Sequence, residues 1–357
     1  MTTAPTTASP AATAPARPRQ LRWLLRLHRP ALLVWTGLVA VLAAALLWLG
    51  GPLTDSAAAA WHQFDACGMN PHCAYDQTSI LRYKDYYNYL TYAVLAVPFL
   101  VAAWAGAALT GRELENGTAW LAWTQGVRPA RWLAGRLAAP AVAIALGTWL
   151  LTWLHHRAWT AGEGRIDTAK NWSDLATFYA GGPLAVALAL AGLATGVLLG
   201  LLFKRQLGAL GGALCGTGLL WFGVQQALPH LWPTVTSVAA LDSDGPRGSG
   251  ITVAQGLVTS SGAHIADPGC GSGTYGPCKA LYAKLHAVSW YKDYHPQSHF
   301  WPLHLMGCAL LLGVAALLTV VAFRVLSRRT APGRPRSGKV TQAGKAPQAT
   351  GPTGAAV

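Results

Sequence analysis

Charged residues are scarce in this sequence. Asp, Glu, Lys and Arg make up 11% of the 357 residues, whereas a soluble globular chain carries about 25%. Too few charges therefore remain to cover the surface of a soluble protein of this length. Hydrophobic residues make up 52%, and the 27 Lys and Arg outnumber the 13 Asp and Glu. This combination argues against a cytosolic enzyme and favours an integral membrane protein surrounded by a lipid bilayer.

The sequence also lacks the basic pattern of a nucleic-acid-binding protein. Such proteins carry their Lys and Arg as a stripe or patch on one folded surface. Here the basic residues stand in short clusters between apolar runs. We therefore expect no nucleic-acid partner.

Six apolar runs contain no Asp, Glu, Lys or Arg. A bilayer core about 30 Å thick needs roughly 20 apolar residues as helix. The runs cover residues 31–49, 89–110, 137–154, 182–203, 207–228 and 302–323. They predict an all-α integral membrane protein in which residues 21–329 form one six-helix domain. Residues 1–20 and the basic segment 330–357 use few residue types, so both are predicted to be disordered tails.

The charges between the runs predict the orientation of the chain. The N-terminus, residues 111–136, residues 204–206 and the tail from residue 324 together hold 18 Lys and Arg and two acids. The other side holds nine basic and 11 acidic residues, so the net charges are +16 and −2. Basic residues stay cytoplasmic during insertion. We therefore predict a multi-pass protein of the plasma membrane with both termini cytoplasmic and three external loops.

Residues 21–29, before the first run, have the pattern of an amphipathic helix. Helical spacing places two sets of side chains on opposite faces: Leu21, Leu24, Leu25 and His28, and Arg22, Arg26 and Arg29. We predict a short interfacial helix in the inner headgroup region. The alternative is a positive flank that only orients the first spanning helix. A cleaved signal peptide is disfavoured, because the run of 19 residues is long for one and 30 residues precede it.

The predicted external loops contain four of the six cysteines, Cys67, Cys73, Cys270 and Cys278. An even number of cysteines on the oxidising side of the membrane indicates two disulfides. Of the three pairings, Cys67–Cys73 with Cys270–Cys278 closes the shortest loops and is preferred, and four unpaired thiols are the alternative. Within the third external loop, residues 279–294 are predicted to be helical.

Small residues recur at every fourth position in the fourth and fifth runs. The two rows are Gly192, Gly196 and Gly200, and Gly208, Gly212 and Gly216. Glycine rows let helix backbones approach closely in lipid, where packing drives association. Only residues 204–206 separate the two runs, so we predict a tight hairpin of packed helices.

No group of residues indicates catalysis or a bound cofactor. The six runs contain no carboxylate, Lys or Arg of the kind that marks proton- or sodium-coupled transport. Residues 333–340 nearly copy a phosphate-binding loop, but Val340 replaces the required Ser or Thr and no strand precedes them. His295, His299 and His304 have a spacing that a metal could use, although ordinary loop histidines are the preferred interpretation. We expect no enzymatic activity, no cofactor and no metal.

The segment between the second and third runs is long enough to form a cytoplasmic docking surface. It holds the two acids of that side and three apolar residues suited to contacts, Glu113, Glu115, Trp120, Leu121 and Trp123. Aromatic anchors mark interfaces. One alternative is an interfacial helix with its indoles among the headgroups. For the acids, the alternative is an ion pair inside the chain with Arg112 or Arg136.

The same segment carries a family pattern. Its residues Arg112, Glu113, Glu115, Gly117 and Thr118 follow the form R-E-x-E-x-G-T. With its six helices, the chain resembles the permease subunit of an ABC-2-type ABC transporter, and its Ala, Arg and Trp usage is similar to that of actinobacterial permeases. The resemblance implies a separate ABC ATPase subunit that couples to these five residues. It also implies a second permease subunit, which makes a homodimer or a heterodimer.

This resemblance leads to the predicted function. We expect the permease subunit of an ATP-driven exporter, which forms the substrate path and leaves ATP hydrolysis to its partner. The alternative is a membrane sensor or accessory protein that binds a ligand through its external loops.

Cysteine labelling from outside the cell tests the predicted orientation. Reagents should reach cysteines placed in residues 50–88, 154–181 and 229–301, and should not reach residues 111–136 or the tail. The reason is the charge difference of +16 against −2, which sets the orientation during insertion. External labelling of a cysteine placed at Ala130 would contradict this orientation.

Overall fold

The protein is built mainly of long helices. A computed structural model describes residues 18–68, 73–269 and 275–330 of the chain. In these residues six helices are long and apolar enough to cross a membrane. The spanning helices, numbered first to sixth, are Arg29–Cys67, Gln77–Glu115, Pro129–Gly162, Leu184–Phe203, Gln206–His230 and Gln297–Thr330. The prediction of an all-α membrane protein with six spanning helices is confirmed.

The described residues form helices α1 to α11 and strands β1 to β4. The helices are α1 (Pro18–Trp48), α2 (Thr54–Cys67), α3 (Gln77–Trp104), α4 (Arg112–Glu115), α5 (Thr118–Thr124), α6 (Pro129–Gly162), α7 (Leu175–Ala180), α8 (Leu184–Phe203), α9 (Gln206–Ala227), α10 (Tyr275–Lys284) and α11 (Phe300–Thr330). The strands are β1 (Val235–Ala240), β2 (Ile251–Thr259), β3 (His264–Ile265) and β4 (Ala287–His295). Two π-helical segments, Leu49–Leu53 and Ala105–Gly111, join α1 to α2 and α3 to α4.

Several spanning helices extend beyond the predicted apolar runs. The predictions stopped where charged residues begin, whereas a helix ends at its caps. α3 begins at Gln77 because Asp76 Oδ1 accepts a hydrogen bond of 3.2 Å from the backbone N–H of Ser79. Hydrogen bonds from Ser79 also hold the pKa of Asp76 below its ordinary value. α6 begins at Pro129, whose fixed φ suits the first turn of a helix.

The N-terminal segment is helical, as its pattern predicts. α1 joins residues 21–29 to the first spanning helix without a break. Their position in the headgroup region stays a prediction. Residues 1–17 and 331–357, which make up most of the two predicted tails, lie outside the described residues.

The prediction that residues 279–294 are helical is wrong for most of that segment. α10 ends at Lys284, His286 has a φ of +52°, and the chain continues as β4. β4 pairs antiparallel with β1 and β2 in a sheet of order β1-β4-β2-β3. Aromatic and β-branched residues in AVSWYKDYH fit a strand, and strands on both sides satisfy its backbone groups. A sheet therefore lies between the fifth and sixth spanning helices in the chain.

α8 is the central helix of the bundle. In its apolar stretch of 18 residues, 72% are buried, whereas the buried share is 11–56% in the corresponding stretches of the other five spanning helices. α8 contacts α3, α6, α9 and α11. Its residues are all apolar or small, so no polar face requires water or headgroups.

The glycine row of α8 faces the second spanning helix. A Cβ atom at Gly196 would stand 2.8 Å from the backbone N of Gly106 and would also touch the carbonyl O of Ala102. The row of α9 faces α8, because a Cβ at Gly212 would lie 2.8 Å from the Phe203 ring. The remaining glycines follow the same division, with Gly192 and Gly200 against the second spanning helix and Gly208 and Gly216 against α8. The two rows therefore serve two separate interfaces.

The π-helical segment Ala105–Gly111 lies against both α8 and α9. The Thr110 hydroxyl donates to the carbonyl O of Ala105 at 3.3 Å and of Val197 at 3.4 Å. A Cβ at Gly106 would stand 2.8 Å from the carbonyl O of Ala209. The segment ends directly before Arg112, so its packing fixes where the predicted family pattern begins.

Replacing Gly196 by Ala should destabilise the bundle by about 1–3 kcal/mol, because the added methyl group overpacks the backbone contact. The matched control is Gly211→Ala on α9, where nothing lies within 4 Å of an added Cβ. That variant should be neutral or slightly stabilising, because Ala favours helix over Gly. Thermal unfolding of the purified protein in detergent compares the two, and equal effects would contradict this packing.

Candidate functional site

The residues of the predicted family pattern lie where the second spanning helix ends. Arg112, Glu113 and Glu115 form α4, and Gly117 has a φ of +71°, a left-handed conformation that glycine adopts without strain. This turn leads the chain into α5, where the Thr118 hydroxyl donates to the carbonyl O of Glu113 at 3.2 Å. The glycine and the threonine of the pattern therefore build the turn that positions its two acids.

Glu113 forms an ion pair with Arg136 in the third turn of α6. The two side chains are largely buried, with exposed fractions of 19% for Glu113 and 15% for Arg136. The Arg136 guanidinium also stands 5.6 Å over the Trp132 ring, a cation–π geometry. The pair joins the end of the second spanning helix to the start of the third. It matches the internal ion pair that was the alternative interpretation of this acid.

Glu115 contacts the start of the fifth spanning helix. Its carboxylate Oε2 accepts a hydrogen bond of 2.8 Å from the backbone N–H of Gln206, the first residue of α9. The first N–H groups of a helix have no partner within it, and the positive end of the helix dipole lies there. Glu115 therefore caps α9 and connects it to α4.

Two of the three apolar residues expected at the surface are exposed. Trp120 is 55% exposed and Leu121 is 60% exposed. Trp123 is only partly exposed and packs edge-on against Trp132, with ring centroids 5.6 Å apart. The expectation for Trp123 was wrong, because the start of α6 covers one side of its ring. Trp120 and Leu121 form an apolar tip on α5.

Three arginines lie close to this tip in the sequence. Arg112, Arg128 and Arg131 are exposed, and within the described part of the chain none of them is in an ion pair. Aromatic residues and Arg are enriched at protein interfaces, where aromatic residues often anchor the contact. The stretch from α4 to the start of α6 therefore has the composition of an interaction surface.

Cysteines on the predicted external side are linked. Cys67 and Cys73 are joined by a disulfide. Cys278 is buried and is not a free thiol. Its preferred partner, Cys270, lies outside the described residues, as does the phosphate-loop-like segment 333–340.

The three spaced histidines take different positions. The Nδ1 atoms of His295 and His299 are 3.1 Å apart, and Nε2 of His295 lies 3.0 Å from the carbonyl O of Pro229. His304 stacks on Phe178, with ring centroids 4.2 Å apart. In residues 18–68, 73–269 and 275–330, no three His, Cys, Asp or Glu side chains come together as metal ligands would.

A buried polar cluster was missed by the sequence analysis. The Thr91 hydroxyl lies 2.8 Å from Nε2 of His155, and the Tyr87 hydroxyl lies 3.1 Å from the hydroxyl of Thr177. All four side chains are buried, and they join the second and third spanning helices to α7. The four-residue spacing of Tyr87 and Thr91 on one helix face is the signal that could have indicated it.

A cleft of about 940 Å³ lies beside α2, the end of α6 and the loop that follows α6. Its walls include three indoles and four carboxylates, Trp61, Trp159, Trp172, Asp55, Asp65, Glu163 and Asp167. The guanidinium of Arg165 binds Asp55 at 2.9 Å. No local pattern marks this cleft, because its lining comes from separate segments of the chain.

Comparison with known families produced one match. A family model described as ABC-2 membrane transporter related matches residues 36–230. The matched part begins in the first spanning helix, includes α4 and α5, and ends after α9. Comparisons with curated proteins and with solved structures found no match.

Glu113→Gln and Arg136→Gln, made singly and together, should reveal a coupling free energy of about 1–2 kcal/mol in thermal unfolding. Each single variant leaves the other charge shielded from water without its partner. The control is the more exposed pair of Lys170 and Asp174, whose N–O distance is 3.6 Å. There the same cycle should give less than about 0.5 kcal/mol. A value no larger at Glu113 and Arg136 would mean that their contact does not fix α4 to α6.

Proposed function

Because the chain belongs to the ABC-2 membrane transporter related family, we propose that it is the permease subunit of an ATP-driven exporter in the cell membrane. Family membership supports a transporter permease in general. The separate ABC ATPase subunit and the outward direction belong to the proposal. One observation carries it: the short helix α5 exposes an apolar tip directly after two acids that are held by other spanning helices.

The ATPase subunit docks on α5 and its basic surroundings in this proposal. Trp120 and Leu121 are free to enter a pocket of the partner, and a buried aromatic anchor is the usual centre of such an interface. Arg128 and Arg131 supply charge at the rim, which favours a partner surface bearing carboxylates. Docking would cover the large side chains that the chain itself leaves exposed.

A movement of α5 would be transmitted to three spanning helices. α5 directly follows the end of the second spanning helix, Glu113 holds the third through Arg136, and Glu115 holds the fifth through the N–H of Gln206. Packed helices that move as rigid bodies are a common form of switching. Arg112, Glu113, Glu115, Gly117 and Thr118 are therefore positioning residues of the coupling path, and none of them is assigned a catalytic role.

The substrate path is assigned to the interface with a second permease subunit, identical or different. The outer face of the fifth spanning helix exposes large apolar side chains, such as Leu219 at 71% and Phe222 at 56%. Either lipid or another subunit must cover them in a membrane. This exposed face leaves a surface for the dimer that the family resemblance implies.

A membrane sensor or accessory protein is the second candidate function. The cleft of about 940 Å³ on the predicted external side favours it, because indoles and carboxylates line a space large enough for a small ligand. Ligand binding in this cleft, in a chain that associates with no ATPase, would support the sensor. Co-purification with an ABC ATPase supports the permease.

Trp120→Ala should abolish binding of the ATPase subunit while the amount of chain in the membrane stays unchanged. More than half of the indole is exposed and its ring contact is with Trp123 of the same short helix, so its loss should change folding less than binding, whereas loss of an interface anchor costs about 2 kcal/mol or more. Co-purification of an ABC ATPase with the tagged chain measures binding. ATP hydrolysis and export in proteoliposomes measure coupling.

The control for this experiment is Trp123→Ala in the same short helix. Because Trp123 is more buried and packs against both Trp120 and Trp132, this variant should lower the unfolding temperature more than Trp120→Ala does. Undiminished ATPase binding by the Trp120 variant would refute the docking surface. If the parent chain binds no ABC ATPase at all, the exporter proposal itself fails.

A further inference from the structure

A groove runs along the outside of the bundle between the first, second and third spanning helices. It encloses about 840 Å³. One end is polar and holds Arg112, Glu113, Asn116 and Arg136, while the walls are apolar. At the back, Trp35 Nε1 donates a hydrogen bond of 2.9 Å to the carbonyl O of Ala143, which joins α1 to α6. The groove is therefore amphipathic from end to end.

The length of the groove matches one leaflet of a bilayer. Its lining runs from Pro30 to Leu38 on α1, from Leu100 to Arg112 on the second spanning helix, and from Arg136 to Ile144 on α6. At 1.5 Å per residue these stretches are about 12–18 Å long. Half of a hydrocarbon core is about 15 Å. The groove therefore reaches from the membrane boundary to about the middle of the bilayer.

The walls of the groove are open to the bilayer. Val34 is 73% exposed and Leu100 is 55% exposed, and Ala108, which also lines the groove, is exposed. The medium at this depth is hydrocarbon, in which water would find few polar partners along such walls. An occupant of this part of the groove therefore carries an acyl chain.

The charges at the polar end favour an anionic head group. Glu113 and Arg136 neutralise each other. Arg112 lines the groove, is exposed, and within the described residues has no acidic partner. A guanidinium binds phosphate oxygens in a bidentate fork, and the side-chain amide of Asn116 offers further donors. A head group with its own ammonium would offset this attraction, whereas one with net negative charge would not.

We propose that the groove binds one anionic phospholipid of the leaflet on the predicted cytoplasmic side. Its phosphate lies at Arg112, and one acyl chain follows the apolar walls toward the middle of the membrane. The head group then touches the Glu113–Arg136 ion pair. The charge of the lipids in that leaflet therefore acts directly on the ion pair that links the second and third spanning helices.

Native mass spectrometry and thermal unfolding of the purified chain in detergent test the proposal. The added probes are phosphatidylglycerol, phosphatidylcholine and, as a lipid-free phosphate, glycerol phosphate. The parent chain should retain phosphatidylglycerol about fivefold better than phosphatidylcholine and should be stabilised by it, whereas glycerol phosphate should have no effect.

Three variants locate the binding. Arg112→Gln should remove the preference for phosphatidylglycerol and leave binding of phosphatidylcholine unchanged. Ala108→Trp, which fills the groove from an exposed position, should weaken binding of both lipids. Arg131→Gln removes an exposed arginine that does not line the groove, so it should bind both lipids as the parent chain does.

Four results would overturn the assignment. An undiminished preference in Arg112→Gln means that this side chain does not bind the head group. An equal loss in Arg131→Gln assigns the preference to general surface charge. Stabilisation by glycerol phosphate alone assigns the polar end to a free anion. Conversion of a dimer to a monomer by Ala108→Trp, with lipid binding unchanged, assigns the groove to a second copy of the chain.

Discussion

The close contact between α8 and the second spanning helix is the one on which the rest of the bundle depends. Gly196 leaves room for the backbone of Gly106 at this contact. α8 in turn packs against α6, α9 and α11. In lipid, no difference in hydrophobicity drives helices together, so close packing must supply the association. A wider gap at this glycine would displace the helix that the second, third, fifth and sixth spanning helices all contact.

The same packing explains how two carboxylates persist on a side of the protein with a net charge of +16. The second spanning helix is held between α8 and α9 by its π-helical segment, and α4 emerges from that segment at a fixed place. Glu113 then meets the guanidinium of Arg136, and Glu115 meets the free N–H at the start of α9. Each acid therefore has a partner on a different helix.

The number and type of spanning helices could be predicted because a helix that crosses the hydrocarbon core needs a long run of apolar, uncharged residues. The partner of Glu113 was among the predicted alternatives, since an acid on a basic side needs a counter-charge. The partner of Glu115 could not be predicted, because a backbone N–H leaves no side-chain signature in the sequence. β4 was mistaken for helix, because pairing with β1 and β2, rather than local propensity, decides its conformation.

The π-helical segment Ala105–Gly111 lies directly before α4. The number of residues in this segment therefore matters as much as their types for the direction in which α4 points. Each residue turns a helix by about 100° and advances it by about 1.5 Å. Deleting one residue would rotate α4 about the helix axis and turn both acids away from their partners. The loops of the four-stranded sheet, on the predicted external side, absorb insertions far more easily, because the strands are held by their own pairing. Insertions can therefore lengthen the predicted external face of this protein step by step, whereas a change in the number of residues from Gly106 to Glu115 would separate both acids from their partners.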